Sequence, residues 1–208
     1  MLKLIPVTTL VLAACIAVPG IAEENYNAPP EPRNLSFESP SLTSGESDQE
    51  GVPKPEEWFW FSSIPEMGIS VTDARRKQGL QSCAFKAQNQ PEAYEGIAQR
   101  FAAIPGNHYT FVAYAMNDPQ DPITGESYGQ ISLEWQDATG KEISRVYGPS
   151  WNFELPFNRW AKFIMAEAAP ENASMGVVVI TFFTRNCNGF GTFYIDDCGF
   201  SKRSGTLD

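Results

Sequence analysis

The amino-acid sequence predicts an all-β sandwich. Short segments rich in β-branched and aromatic residues follow one another, separated by Gly, Pro, Asn and Asp, as is typical of such folds. No long segment shows the hydrophobic period of an amphipathic helix, and no repeat of fixed length appears. The strand candidates are residues 68–72, 80–87, 97–102, 109–116, 129–136, 160–168, 175–184 and 192–200.

The first 22 residues are typical of an export signal, because Lys3 precedes an apolar run over residues 4–18 that small residues follow. Two processing sites compete within it. Cys15 ends a bacterial lipoprotein pattern and is a candidate lipid anchor, whereas Ala22 ends an ordinary signal-peptidase pattern. The apolar run is too short for a transmembrane helix, so we expect a secreted or periplasmic protein, or a lipid-anchored one.

A single domain follows the export signal. Residues 23–33 are polar and proline-rich, which predicts an extended tether. Residues 34–203 fit one β-sandwich, and residues 204–208 form a short tail. The formal net charge of −10 excludes a nucleic-acid partner, because nothing offsets the repulsion by phosphates.

Turns and loops in the second half of the chain suggest where a ligand binds. Residues 137–140 (Asp-Ala-Thr-Gly) predict a turn between residues 131–135 and the segment after Lys141, and residues 185–189 predict the turn of a last hairpin. The loop over residues 117–128 is long and polar, and residues 147–158 are aromatic and irregular. Long loops often carry function, so we expect a ligand near these last two segments.

The last strand candidate contains two adjacent carboxylates. Since side chains alternate along a strand, Ile195 and Cys198 both face a core only if the pleat is broken at Asp196 and Asp197. Near the other end, Glu38 closes the first strand-like segment. If the first and last strands are neighbours, the Glu38 and Asp196 carboxylates meet and can bind a hard cation through oxygen.

Several short motifs occur together in one order. This set resembles the CenC-type carbohydrate-binding modules, from about residue 34 to residue 200. The resemblance implies a jelly-roll β-sandwich of two antiparallel sheets, a structural Ca²⁺ held by Glu38 and Asp196, and polysaccharide binding without cleavage. The motifs are NLSFE at 34–38, Trp58, Gly79 to Ser82, Pro105 to Tyr109, Asp137 to Glu142, Trp160 and FYIDD at 193–197.

The cysteines allow two interpretations. A secreted chain without Cys15 retains Cys83, Cys187 and Cys198, so at least one thiol is unpaired. Cys187 and Cys198 are too far apart along the chain to bond, which favours a Cys83–Cys198 disulfide. The alternative is that both residues are buried free thiols.

The sequence lacks the usual signatures of a catalytic site, and we predict no enzymatic activity. The single histidine, His108, lies in a turn, and no nucleophile elbow, zinc-binding helix or phosphate loop is found. The carboxylate pairs at residues 56–57 and 196–197 point to opposite faces of a strand, so neither straddles a glycosidic bond.

Carbohydrate binding requires planar rings and hydrogen-bonding side chains. The best candidate for a stacking ring is Trp151, because no core pattern surrounds it. Tyr128 lies near the long loop, Gln99 lies on a strand similar to the family's binding strand, and Trp60 fits either a core or a binding face. We expect Trp58 and Trp160 to belong to the core.

Three functions fit these features. The first is an exported, non-catalytic module that binds a polysaccharide, with any partner enzyme undetermined. The second is a structural or adhesive surface protein that has the same sandwich and no affinity for sugars. The third is a polysaccharide lyase or hydrolase of jelly-roll shape, which lacks an evident catalytic base here because His108 lies in a turn.

Overall fold

The computed structural model describes residues 28–42, 53–65, 68–87, 90–185 and 189–205. The export signal, Cys15, residues 23–27 of the tether and Cys187 lie outside these residues, as do residues 206–208 of the tail. The described part of the chain contains no helix long and apolar enough to cross a membrane.

In the described part of the chain, ten antiparallel strands form two five-stranded sheets. Sheet A has the order β1-β4-β9-β6-β7, and sheet B has the order β2-β3-β10-β5-β8. The predicted all-β jelly-roll sandwich is therefore confirmed. The strands are β1 (Phe59–Ser62), β2 (Ile69–Thr72), β3 (Ser82–Lys86), β4 (Tyr94–Ala102), β5 (His108–Asn117), β6 (Tyr128–Gln136), β7 (Glu142–Trp151), β8 (Ala161–Ala168), β9 (Met175–Phe183) and β10 (Thr192–Arg203).

The hydrophobic core lies between the two sheets. Alternate side chains of β9 (Val178, Ile180 and Phe182) point inward and are almost completely buried. They meet inward side chains of β10, where the Phe182 and Phe193 rings pack edge to face at 4.9 Å. Burying each such side chain stabilises the fold by about 1.5–3 kcal/mol. Of the residues that the sequence places in the core, Trp58 is buried and Trp160 is only half-buried.

The pleat of β10 is broken where the sequence predicts it. The pairing of β10 with β5 shifts register between Asp196 and Gly199, and Asp197 has a positive φ of 49°. As a result Ile195 and Cys198 both belong to the core, at 0% and 8% exposure. The predicted β-bulge is confirmed.

Two sequence-based expectations about the second half of the chain are wrong. β7 continues through Trp151, although residues 147–158 look irregular in sequence, because a register shift lets β7 pair with β6 to its end. Residues 185–189 do not turn a hairpin, because β9 belongs to sheet A and β10 to sheet B. The turn at residues 137–140 is confirmed: the Gly140 N–H donates to the Asp137 carbonyl at 3.0 Å.

The N-terminal part of the domain lies beside β10 without forming a strand. Asn34 and Phe37 have positive φ angles of 47° and 58°, which make residues 34–38 a turn. The Cys198 N–H nevertheless donates to the Leu35 carbonyl at 2.9 Å, so this segment and β10 are neighbours as expected. Phe37 is fully buried and stacks on Trp58 with 5.6 Å between ring centroids.

Cys83 and Cys198 are free, buried thiols. The predicted disulfide between them is therefore wrong, and the alternative of two small apolar core residues holds. Burial raises the pKa of both thiols, which keeps them protonated at neutral pH.

Five connections between strands meet at one end of the sandwich, which we call the loop end. In sheet A, β4 and β6 begin at the loop end, and β7 and β9 end there. In sheet B, β10 begins and β5 ends there. The connections at the loop end are residues 63–68, 87–93, 118–127, 152–160 and 184–191.

Candidate functional site

The outer face of sheet A has an apolar floor. Outward side chains of β4 and β9 (Ala98, Val177 and Val179) form a small cluster that is separate from the main core. Phe61 of β1 packs against this cluster. Its ring lies over Gly96, where an added Cβ would be 2.3 Å from the Phe61 Cζ atom. Glycine at this position therefore lets an aromatic ring lie flat on the sheet.

Four aromatic rings cross this face near the loop end. We call Phe61, Tyr94, Phe183 and Tyr128 the aromatic row. Both tyrosines lie opposite Phe183 in the sheet register. The Tyr128 and Phe183 rings stack at 4.8 Å, Tyr94 lies 6.5 Å from Phe183, and Phe61 lies 6.4 Å from Tyr94.

All four rings of the aromatic row are partly exposed to solvent. The rings come from four neighbouring strands, β1, β4, β9 and β6. Because strands in a sheet lie about 4.8 Å apart, the row extends for about 14 Å. Partly exposed rings of this kind are the planar surfaces on which apolar faces of a ligand can stack.

An ion pair closes one end of the aromatic row. The Arg185 Nη1 atom lies 2.8 Å from Glu92 Oε2, and Nη2 donates to the Tyr128 hydroxyl at 3.5 Å. The guanidinium also lies 5.9 Å from the centre of the Tyr128 ring. The hydrogen bonds with Tyr128 and Glu92 raise the pKa of Arg185, so this cation is held against the last ring of the row.

A polar network covers the other end of the same face. Arg145 Nη2 lies 2.5 Å from Glu134 Oε2 and 2.8 Å from Glu142 Oε2. The Gln136 amide donates to Glu134 Oε1 at 2.5 Å. Glu134 is only 3% exposed, and its burial raises the pKa of its carboxyl. The face thus combines aromatic rings with a polar network in which Glu134 and Gln136 are buried and Glu142 is the more exposed carboxylate.

An open pocket of about 550 Å³ adjoins the aromatic row at the loop end. Tyr128 belongs to both the row and the pocket. The pocket lies between the two segments, 117–128 and 147–158, where the sequence predicts a ligand. The lining residues from the first segment are Gly125, Glu126 and Tyr128, and those from the second are Ser150, Trp151, Asn152, Phe153 and Glu154.

Tyr128 and Trp60 are both accessible, but they do not lie on the same face. Tyr128 points outward and forms the end of the aromatic row. Trp60 is 55% exposed on the edge strand β1, where it pairs with Ile97, whose side chain points into the core. Because side chains alternate along a strand, Trp60 points to the opposite face of β1 from the aromatic row. Its predicted role in binding stays a prediction.

Trp151 is not the exposed ring that the sequence predicts. It is 4% exposed and packs in the core against Phe163 and Phe193, at 4.8 and 5.3 Å between ring centroids. It pairs with Gly129, where an added Cβ would be 2.2 Å from the indole Nε1. The expectation of a solvent-presented stacking ring is wrong, because β7 extends to this residue and turns it inward.

Gln99 is likewise buried, at 4% exposure, and does not face a ligand. Its side-chain Nε2 donates to the Arg33 carbonyl at 2.9 Å, and its Oε1 accepts the Arg33 N–H. The side chain thus holds the main chain of residue 33 against β4. The predicted contact with sugar is contradicted by this placement, whereas its neighbour Arg100 lies on the outer face, 5.8 Å from the Phe59 ring.

The two predicted calcium ligands anchor one loop. Asp196 Oδ2 accepts the N–H groups of Lys77 and Gln78 at 2.6 and 3.0 Å. Glu38 Oε1 accepts the N–H groups of Leu80 and Gln81 at 3.0 and 3.2 Å. The carboxylates therefore lie against the same connection between β2 and β3.

The donors around these carboxylates do not by themselves make a metal site. Main-chain N–H groups satisfy the Asp196 and Glu38 oxygens named above, and Asp196 Oδ1 also accepts the Asp197 N–H at 2.6 Å. Among the residues that the structure describes, no three His, Cys, Asp or Glu side chains are placed to hold a metal ion. A calcium ion here would need main-chain carbonyl ligands, and it stays a prediction.

Sequence reasoning missed three rings of the aromatic row, Phe61, Tyr94 and Phe183. Tyr94 and Phe183 lie at the ends of their strands and Phe61 lies one residue before the end of β1. Outward and inward positions of a strand cannot be told apart by sequence when both are apolar. The residues of β9 that face outward are as hydrophobic as those that face inward, so alternation gave no signal there. To predict the aromatic row, one needs to know that Tyr94 and Tyr128 both pair with Phe183 on the neighbouring strand.

The sequence matches no protein-family model and no curated protein. Solved structures that are similar in fold include binding modules and enzymes. The C-terminal family 22 carbohydrate-binding module of Clostridium thermocellum Xyn10B has a TM-score of 0.51 and 17% identity, and the match covers 83% of this chain and 93% of that chain. The Stig cyclase Fisc from Fischerella sp. TAU has a TM-score of 0.58 and 13% identity, over 85% of this chain and 98% of that chain.

A third similar structure is the enzymatically active domain of tailspike protein 4 from bacteriophage CBA120. It has a TM-score of 0.53 and 12% identity, and the match covers 81% of this chain and 22% of that chain. Identities this low show a shared fold only. The chain is thus similar in architecture both to a carbohydrate-binding module and to proteins with catalytic activity.

Proposed function

We propose that this protein is a non-catalytic module that binds a polysaccharide on the outer face of sheet A. The observation that carries this proposal is the aromatic row, in which four partly exposed rings cross four strands. The apolar face of a pyranose ring stacks on such rings, because both surfaces lose water on contact.

The surroundings of the row support the same function. The Arg185–Glu92 pair and the Arg145–Glu142 pair place polar side chains at the two ends of the face. Their hydrogen bonds give an extended ligand with many hydroxyls a fixed orientation. The CenC-type motifs, and the family 22 module among the structures of similar fold, support a carbohydrate ligand.

Export and calcium binding belong to the same proposal. The predicted signal in residues 1–22 supports secretion or periplasmic export, and Cys15 offers a lipid anchor as the alternative. A calcium ion near Glu38 and Asp196 would have a structural role, because these residues anchor the connection between β2 and β3 and lie away from the aromatic row.

A glycan array probed with the purified protein tests the proposal. We expect binding to at least one polysaccharide, and Tyr94→Ala should weaken it while the protein remains folded. Ile164→Ala is the matched control, because Ile164 is 53% exposed on β8 of the other sheet. Absence of binding to every glycan would instead favour a structural or adhesive role for the sandwich.

A further inference from the structure

The pocket at the loop end differs in chemistry from the aromatic row that it adjoins. Its walls carry two carboxylates, Glu126 and Glu154, together with Ser150 and Asn152. Among the residues described, no Lys, Arg or His side chain lines it. The pocket therefore offers acceptors to a ligand and no positive charge.

The nearby Arg185 guanidinium does not make the charge of the pocket positive. Arg185 lies on Tyr128, the residue that the pocket shares with the row, and it forms an ion pair with Glu92 at 2.8 Å. The whole chain has a formal net charge of −10, so the field around the pocket is negative as well. A carboxylate on a ligand is repelled there, whereas hydroxyl or ammonium groups are attracted.

The pocket has the size of a ligand site, and hydrogen bonds hold one segment of its lining in place. Its volume of about 550 Å³ lies within the usual range for small-molecule sites. Asn152 Oδ1 accepts the Glu154 N–H at 3.0 Å, and the Asn152 carbonyl accepts the Leu155 N–H at 3.0 Å. Leu155 is 5% exposed and anchors this turn in the core.

An exposed ring completes the pocket. Phe153 is 59% exposed and lines the pocket together with Tyr128, so each of the two segments contributes an aromatic ring. A sugar unit has an apolar face for a ring and hydroxyl donors for carboxylates and amides. Because Tyr128 belongs to both the aromatic row and the pocket, a glycan lying along the row meets the pocket at this ring, beside the Arg185–Glu92 ion pair.

We propose that this pocket is a charge-selective subsite that accepts a neutral or amine-bearing sugar unit and rejects a uronic acid. The inference rests on the proposed function, because it assigns a preference to the end of the same binding face. Hydroxyl or ammonium groups of the sugar unit donate to Glu154, and its apolar face contacts Phe153.

Binding to three classes of oligosaccharide tests this subsite. The probes are β-1,4-linked oligomers of neutral hexoses or pentoses, of glucosamine and of uronic acids, all of equal length. We expect the wild-type protein to bind neutral or glucosamine oligomers at least about fivefold more tightly than uronic acids, the factor that roughly 1 kcal/mol of surface electrostatics produces. Raising the salt concentration should narrow the difference.

Charge reversal at the pocket provides the decisive comparison. Glu154→Lys should shift the preference toward uronic acids by about fivefold or more. Glu171→Lys is the control, because it makes the same change of charge at an exposed turn at the opposite end of the sandwich. If both variants keep the wild-type ratio, or if the wild-type protein prefers uronic acids, the subsite is overturned while polysaccharide binding stands. Binding to no oligomer of any class would overturn both proposals.

Discussion

Trp151 occupies a space that only glycine on the neighbouring strand allows. Its indole lies against Gly129, and its ring contacts Phe163 and Phe193 in the core. Removing a buried Trp leaves a cavity, and its lost contacts are not replaced. The residue therefore belongs to the stability of the sandwich.

We predict that Trp151→Ala lowers the free energy of unfolding by about 3–5 kcal/mol. Gly129→Ala should also destabilise the protein, because the added methyl group meets the indole. Denaturant unfolding measures both changes. A Trp151→Ala protein as stable as wild type, with weaker glycan binding, would return this ring to the binding site.

Glu95 is a buried carboxyl whose charge opposes folding. It is 4% exposed, its Oε2 accepts the Gly68 N–H at 2.7 Å, and its buried Oε1 has no hydrogen-bond partner in the structure. Burial raises the pKa of Glu95 from 4.5 to about 7, although the Gly68 N–H and the nearby Lys54 oppose the shift. The folded protein therefore holds this proton at pH values where the unfolded chain has released it.

Stability should consequently fall as the pH rises from 4.5 to about 7, by about 3 kcal/mol from this group alone. Glu95→Gln keeps the shape and removes the titration, so its stability relative to wild type should improve over the same interval. Urea unfolding of both proteins across this range measures the difference. If the difference in unfolding free energy between the two proteins is the same below pH 4.5 and above pH 7, burial does not shift the pKa of Glu95.

At the scale of elements, the connection between β2 and β3 depends on two carboxylates from distant parts of the chain. Asp196 accepts three main-chain N–H groups, from Lys77, Gln78 and Asp197. Burial nevertheless raises the pKa of Asp196, so its charge is only partly compensated. Glu38 holds the next part of the same connection.

We predict that Asp196→Ala destabilises the protein by at least about 1–3 kcal/mol, because it leaves buried N–H groups without an acceptor. If calcium also binds here, EDTA should lower the melting temperature of wild type but have a smaller effect on Glu38→Gln. Thermal melts with and without EDTA make this comparison. If EDTA leaves the melting temperature of wild type unchanged and Glu38→Gln does not alter stability, no calcium ion binds at this site.

Eight of the ten strands could be predicted from composition and turn residues, and the missing two show the limits of that approach. β1 has only four residues, and it follows a segment whose Trp58 and Trp60 suit either a core or an exposed edge. β7 contains Gly148 and Pro149, which usually interrupt strands. In the structure a register shift near these residues accommodates them.

At the scale of the whole molecule, the position of the proposed binding face depends on which strands are neighbours. The bulge at Asp196 could be predicted because it concerns residues close together in sequence. The aromatic row could not, because Phe61, Tyr94, Tyr128 and Phe183 come together only through the order of sheet A. Loop composition did point to the pocket, since both of its walls are irregular or turn-rich in sequence.

The hydrophobic core and the proposed binding face lie on opposite sides of sheet A. The space between the sheets holds the main hydrophobic core, including Trp151 and both described cysteines. The outer face of sheet A carries the aromatic row and joins the pocket at the loop end. Substitutions on the outer face should therefore change glycan affinity more than folding.

The most direct test of the binding face is titration calorimetry with the glycan that binds most tightly in the array. Phe183 contacts rings on both sides within the aromatic row, so Phe183→Ala should weaken binding by about 1–3 kcal/mol, or roughly 5- to 150-fold. Ile164→Ala, on the other sheet, should bind like wild type. Undiminished affinity of a folded Phe183→Ala protein, together with unchanged binding by Tyr94→Ala, would contradict the assignment of this face.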